Sequence, residues 1–210
     1  MIRAFICDFG GVLTTPLIDA FLHYQERSQI PFQDIVAAMG RLNDATGKNP
    51  LHELEKGTIS EDEFLGSIER EMGGDVSLRA LPEVYFEHLT ENEPMIAFVR
   101  SLRVDRGLRS ALLTNNVREW EPRWRPMLPE IDEIFEVVVD SAFVGMRKPD
   151  PAIYTLTVER LGGGLRAEEC LFIDDVDINC DAARELGMSA VQFGTTEHTI
   201  AEIEALLEHG

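Results

Sequence analysis

The chain has 210 residues, 44% hydrophobic and 27% charged, the balance of a globular protein that can bury one core, or a core with a small inserted unit. A formal charge of −19 excludes a nucleic-acid binder, which needs a basic face to displace phosphate counterions. No run approaches the ~20 apolar residues of a membrane span, and the first residues lack the apolar core and cleavage site of a signal peptide, so a cytoplasmic protein with no membrane partner is expected.

Residues 2–8 are a short apolar run ending in Asp8 and passing through Phe9 into Gly10 and Gly11. A buried parallel strand with a polar residue at its carboxyl end reads this way. Residues 16–90 then show helical periodicity around 17–28, 31–45 and 60–72, punctuated at Pro31, Gly47, Pro50, Gly57 and Gly73-Gly74. Ser60 followed by Glu63 has capping-box spacing, and no strand pattern appears. His23, Tyr24 and Arg41 are polar residues of this region that could face a ligand, as residues of any helix surface could.

Beyond residue 90, helical patterns at 94–102, 151–161, 179–186 and 199–207 alternate with apolar runs at 109–114, 135–139, 170–174 and 189–193. Gly162 and Gly187 sit where left-handed C-caps are expected. The basic-aromatic stretch Arg118–Arg125 reads as a connecting segment whose amphipathic side chains lie over the core. Cys7, Cys170 and Cys180 are odd in number and lack CxxC spacing; they read as buried thiols in a reducing compartment. Alternating strands and helices imply an α/β fold, a Rossmann-like doubly wound parallel sheet. Its core would be 1–15 and 91–210, with an all-helical insert, 16–90, as a cap.

Asp8, Thr114 and the Asp174-Asp175 pair stand at strand ends, and Lys148 stands in the loop after the third strand. In an open α/β sheet these ends share one edge, where ligands bind. A lone Asp there would as readily be a cap or turn residue. Four polar positions converging on one crevice, one of them a lysine that should avoid unpaired burial, point to a site.

The strings carrying these residues resemble the four signatures of the haloacid dehalogenase-like hydrolases. Asp8-Phe-Gly-Gly-Val-Leu-Thr14 is similar to the first, Leu112-Leu-Thr-Asn-Asn116 to the second, Lys148-Pro149 with Asp150 to the third, and Leu171-Phe-Ile-Asp-Asp175 with Asn179 to the fourth. Order and spacing agree over the whole chain, and the nearest subgroup includes the phosphatase domain of soluble epoxide hydrolases and small sugar-phosphate phosphatases. The resemblance implies a phosphatase acting on a small phosphorylated metabolite, with Asp8 as nucleophile forming an aspartyl-phosphate. It implies Mg2+ held by Asp8, the Gly10 carbonyl and Asp175. It gives phosphoryl binding to the Thr114 hydroxyl and the Asn115 backbone, and pairs Lys148 with Asp8 and the phosphoryl group. Asp174 would orient Lys148 or a metal-bound water, and the Lys148–Pro149 peptide is expected to be cis.

One departure stands out. Most family phosphatases carry a second Asp two residues after the nucleophile, which protonates the leaving oxygen, though the subgroup has active members without it; here that position is Gly10. The carbonyl ligand survives the change, but acid-base assistance, commonly worth roughly 10²–10⁴-fold, does not. Three readings stay open: a phosphatase using good leaving groups or another acid, a metal-independent 2-haloacid dehalogenase, and a binding module for a phosphorylated metabolite or a protein. Against the dehalogenase, a cation-free site would set Asp174 and Asp175 in mutual repulsion. Against the binding module stands the retention of the whole polar set.

Overall fold

Ala4–Cys7 (β1) is apolar on both faces and wholly buried, as a central parallel strand must be. In the computed structural model, which describes residues 1–209, it pairs in parallel with Arg109–Thr114 (β2) on one side and Cys170–Asp174 (β4) on the other. Val137–Asp140 (β3) extends the sheet beyond β2 and Ser189–Gln192 (β5) beyond β4, giving the order β3-β2-β1-β4-β5. The chain builds outward to β3, then crosses back to β4. The switch point therefore falls beside β1, at the carboxyl ends of β1 and β4, where an α/β sheet opens a crevice. Gly210, the last residue of the expected core, lies outside the described residues.

Strand periodicity sends alternate side chains to opposite faces. Phe5, Cys7, Leu112, Leu171 and Ile173 pack with Met95, Val99 and Leu102 of helix Glu93–Val104 (α6, its label following the five insert helices below). Ala4, Ile6, Ala111, Leu113 and Phe172 pack on the other face against helices Pro151–Leu161 and Asp177–Glu185. All three cysteines are buried free thiols. Among the described residues no helix is long and apolar enough to cross a membrane.

Between β1 and α6 the chain forms five helices: Leu17–Ser28 (α1), Phe32–Thr46 (α2), Pro50–Glu55 (α3), Glu61–Glu71 (α4) and Leu81–His88 (α5). They share a cluster that includes Tyr24, Ile35, Leu54, Phe64, Ile68 and Val84. The Ser60–Glu63 capping box forms. The two crossings into this region run side by side: Thr14 bridges Glu91, the Thr15 amide donates to the Thr90 carbonyl at 2.9 Å, and the Asn92 amide donates to the Leu13 carbonyl at 2.8 Å. A second tether joins the end of α3 to the loops beyond β3. The Glu55 carbonyl accepts from Ser141 Oγ and its carboxylate from Arg147 Nε, each at 2.6 Å. Gly57, at φ 65°, makes this approach possible, since a Cβ there would fall 2.3 Å from the Ala142 carbonyl oxygen.

Several boundaries differ from the sequence reading. Helices α3 and α5 were not expected. The third strand starts at Val137 instead of residue 135, because Ile131–Ile134 forms a short helix whose C-cap, Phe135, packs edge-on against Phe5. The 118–125 stretch does connect, through short helical turns, and Trp124 lies buried over the core 5.1 Å from Phe9. Trp120 does not lie over the core alone: it reaches into the insert, where its Nε1 donates to Glu61.

Candidate active site

Lys148 is wholly buried and all three of its ammonium donors are used: to Asp8 Oδ1 at 2.9 Å, Asp174 Oδ2 at 2.6 Å and the Leu113 carbonyl at 2.9 Å. The Lys148–Pro149 peptide is cis, and the residue that follows β2 clamps the Lys148 backbone. The Lys148 amide donates to Asn115 Oδ1 at 2.8 Å, and Asn115 Nδ2 donates to the Lys148 carbonyl at 3.0 Å. Sequence reasoning assigned only the Asn115 backbone; the side chain's grip on the lysine loop carried no signal in the chain itself.

Asp174 is held by three hydrogen bonds. Besides Lys148, it accepts from the Val176 amide at 2.9 Å and from Asn179 Nδ2 at 3.0 Å. Its contacts match orientation of Lys148 better than of a metal-bound water. Asp8 Oδ1 also accepts from the Phe9 amide at 2.7 Å, while Asp175 makes no ion pair among the described residues. Gly11, at φ 77°, lets the chain pass so close to Asp175 that a Cβ would fall 2.3 Å from its Oδ2. Gly10 is not among the residues at positive φ.

Asp8, Asp174 and Asp175 bring carboxylate oxygens within 4.8 Å of one another, with one ammonium among them. Burial raises the Asp8 carboxyl to about 8; Lys148 opposes the rise, while Asp174 and Asp175 add to it. Burial and Asp174 likewise raise Asp175. Burial would lower the Lys148 ammonium, but Asp174 and Asp8 outweigh it and hold it above its ordinary value. Three crowded carboxylates around one ammonium leave an uncompensated negative charge in a low dielectric. A hard divalent cation with oxygen ligands fits that donor set.

The Thr114 hydroxyl, at the end of β2, makes no protein hydrogen bond among the described residues, and Thr114 is buried beside Gly10 and Asn115. These three form the floor of a cavity of about 210 Å³ that extends beneath the five insert helices. Its walls include Phe21, Ile35, Phe64, Ile68, Tyr85 and Trp120. Burial raises the Tyr85 phenol, with Asp8 and Asp175 contributing. None of His23, Tyr24 or Arg41 lines this space: Tyr24 is buried with its hydroxyl on the Ser77 carbonyl, His23 stacks on His88, and Arg41 pairs with Glu71.

A five-stranded parallel sheet with these carboxylates and a buried lysine at its switch point defines an α/β protein with an acidic, cation-suited crevice. Residues 2–187 match the model of haloacid dehalogenase-like hydrolases, and the chain belongs to that family. It is 31% identical to mouse acyl-CoA dehydrogenase family member 10, over 98% of this chain and 19% of that protein, and 24% identical to rat bifunctional epoxide hydrolase 2, over 97% and 38%. The chain thus spans about a fifth to two fifths of the length of these relatives. Phosphatase MT3486 of Mycobacterium tuberculosis is 29% identical, over 90% of this chain and 86% of that one. Among solved structures, a HAD-like family hydrolase from Porphyromonas gingivalis superposes with a TM-score of 0.76 at 25% identity, covering 100% of both chains. A HAD family enzyme from Bacteroides thetaiotaomicron, in complex with magnesium and inorganic phosphate, superposes at 0.67 and 26% identity, over 92% and 95%.

Proposed function

We propose that the chain is a magnesium-dependent phosphatase acting on a small phosphorylated metabolite through an aspartyl-phosphate on Asp8. The observation that carries this reading is the three carboxylates gathered within 4.8 Å around one buried lysine. The phosphatase relative and the magnesium- and phosphate-bound neighbour support it.

In this reading Asp8, the Gly10 carbonyl and Asp175 hold Mg2+, which when bound offsets the charge of the nucleophile and the phosphoryl oxygens. Lys148 fixes one Asp8 oxygen and leaves the other to attack phosphorus. The new bond joins an Asp8 oxygen to phosphorus as the ester bond breaks, and the leaving oxygen departs with the electron pair. The Thr114 hydroxyl and the Asn115 amide hold the phosphoryl oxygens in line. Asp174 keeps Lys148 aimed. Water then cleaves the acyl phosphate, releasing inorganic phosphate and restoring the carboxylate. The insert, residues 16–90, acts as a cap that keeps bulk water from the reaction. A cytoplasmic setting goes with the three unpaired thiols, and the charge of −19 with the absence of a nucleic-acid partner.

The test is release of inorganic phosphate from acetyl phosphate and aryl phosphates with and without magnesium, run beside halide release from a 2-haloacid. Magnesium-dependent phosphate release that Asp8→Asn abolishes supports the reading. Halide release without metal, or no turnover of either class, overturns it.

A further inference from the structure

The cavity next to Thr114 is chemically one-sided. Its walls are aromatic and aliphatic side chains from all five insert helices, together with Val117 and Trp120, and among the described residues no Arg, Lys or His lines it. Its polar side chains are largely engaged. Glu55 is tied to Arg147 at 2.6 Å, Glu61 to Trp120, Asn115 to the Lys148 backbone, and Asn116 Oδ1 to the Val117 amide at 2.9 Å. A sugar or nucleotide in this space would set most of its polar groups against apolar walls, with only a few side-chain atoms near the floor and rim to meet them, and a second phosphate would meet no cation; both are costly.

The cavity is also continuous with the reacting centre, since Gly10, Thr114 and Asn115 belong to its floor. A phosphoryl group at Asp8 therefore has its ester oxygen facing this space. We propose that the cavity binds an apolar leaving group, so that the substrate is the phosphate of a hydrophobic alcohol, phenol or acid instead of a sugar or a nucleotide. This inference rests on the phosphatase reading and adds the chemical class to it. Partly buried Met39, Phe21 and Leu51 at the wall would contact the far part of such a group. Burying methylenes against them strengthens binding about fourfold each.

The experiment holds leaving-group acidity nearly constant and varies apolar length. Phenyl, 4-butylphenyl and 4-octylphenyl phosphate are assayed with the full chain and magnesium, with acetyl phosphate and a sugar monophosphate alongside. Between phenyl and 4-butylphenyl phosphate, kcat/KM is expected to rise tenfold or more, chiefly through a lower KM, and the sugar phosphate to be the poorer substrate. Met39→Glu is expected to bring the ratio of 4-butylphenyl to phenyl turnover down towards one. Calorimetry of wild type with phenylphosphonate and 4-butylphenylphosphonate gives the same comparison without turnover or a mutant, and the alkylated compound should bind tenfold or more tightly. A flat or falling series with acetyl phosphate still hydrolysed overturns the inference and spares the phosphatase reading, as does equal affinity of the two phosphonates. No turnover of any ester, acetyl phosphate included, overturns both.

Discussion

Lys148 Nζ lies 2.6 Å from Asp174 Oδ2, with both side chains wholly buried. This pair is the fixed point of the site, because Asp174 takes two further hydrogen bonds and has no freedom to follow any other partner. Breaking a buried ion pair by removing one partner commonly costs about 3–5 kcal/mol. Lys148→Met is expected to destabilise the fold by that order and to abolish phosphate release. Adding Asp174→Asn should recover part of the stability and none of the activity. Urea unfolding of the two single variants and the double variant checks the coupling; additive losses would mean that the pair acts as two independent groups.

Magnesium binding is expected to weaken at least tenfold in Asp175→Asn and in Gly11→Ala. In the second variant the new methyl would fall 2.3 Å from Asp175 Oδ2 on a backbone at φ 77°, so the carboxylate must move while its charge stays. Calorimetric titration with Mg2+ reads both. Undiminished binding in Asp175→Asn would remove this residue from the ligand set.

Gly10 is not among the glycines at positive φ, so its backbone conformation does not itself call for glycine. Without an acid at this position the leaving oxygen departs largely as an anion, and rates should fall steeply as leaving-group pKa rises. Gly10→Asp is expected to help the poor leaving groups selectively, by up to ~10²-fold. A series of phosphate monoesters of graded pKa, assayed with both proteins, decides it. A flat series in the wild type would mean that another group donates the proton, and Tyr85, whose phenol is raised by burial, Asp8 and Asp175, is the first to replace.

Asp140 gives a pH dependence away from the chemistry. Its Oδ1 caps the short helix Ser141–Val144 from the Ala142 amide, while its Oδ2 is buried without a partner. Burial raises the carboxyl to about 6 from 3.8. The folded state thus keeps a proton that the unfolded chain releases, and stability from this residue falls as pH rises from about 4 through about 6. Asp140→Asn keeps the cap and removes the charge. It is expected to stabilise the protein by about 1–2 kcal/mol at neutral pH, the unpartnered amide counted, with little effect below pH 4. Thermal melts across that range test the sign.

The strand ends were legible because each pairs an apolar run with a polar terminus: Asp8, Thr114 and Asp174 stand where the sequence reading set them. Helix Pro50–Glu55 was not, since six residues are too few for a 3.6-residue period to declare itself. The third strand was misplaced by its own composition, Phe135 being as apolar as the strand proper. The cavity was illegible for a deeper reason. Phe21, Ile35, Phe64 and Ile68 occupy the inner faces of amphipathic helices, and a sequence does not distinguish an inner face that packs solid from one that leaves room. The side-chain partners of Trp120 and Asn115 were illegible alike, because Glu61 and the Lys148 backbone are distant along the chain.

Because Leu13 and Thr15 hydrogen-bond to Asn92 and Thr90, the chain leaves the core layer and returns to it within one strand spacing, about 5 Å. A two-residue hairpin turn could close that gap. For strand order and register, the seventy-odd residues between are then topologically equivalent to a single turn; their demands on the core come through the side, where Glu55 holds Ser141 and Arg147. Under the proposed function, the cavity walls and the acidic cluster can thus change independently, the one mainly between residues 16 and 90 and the other around Asp8, Lys148 and Asp174.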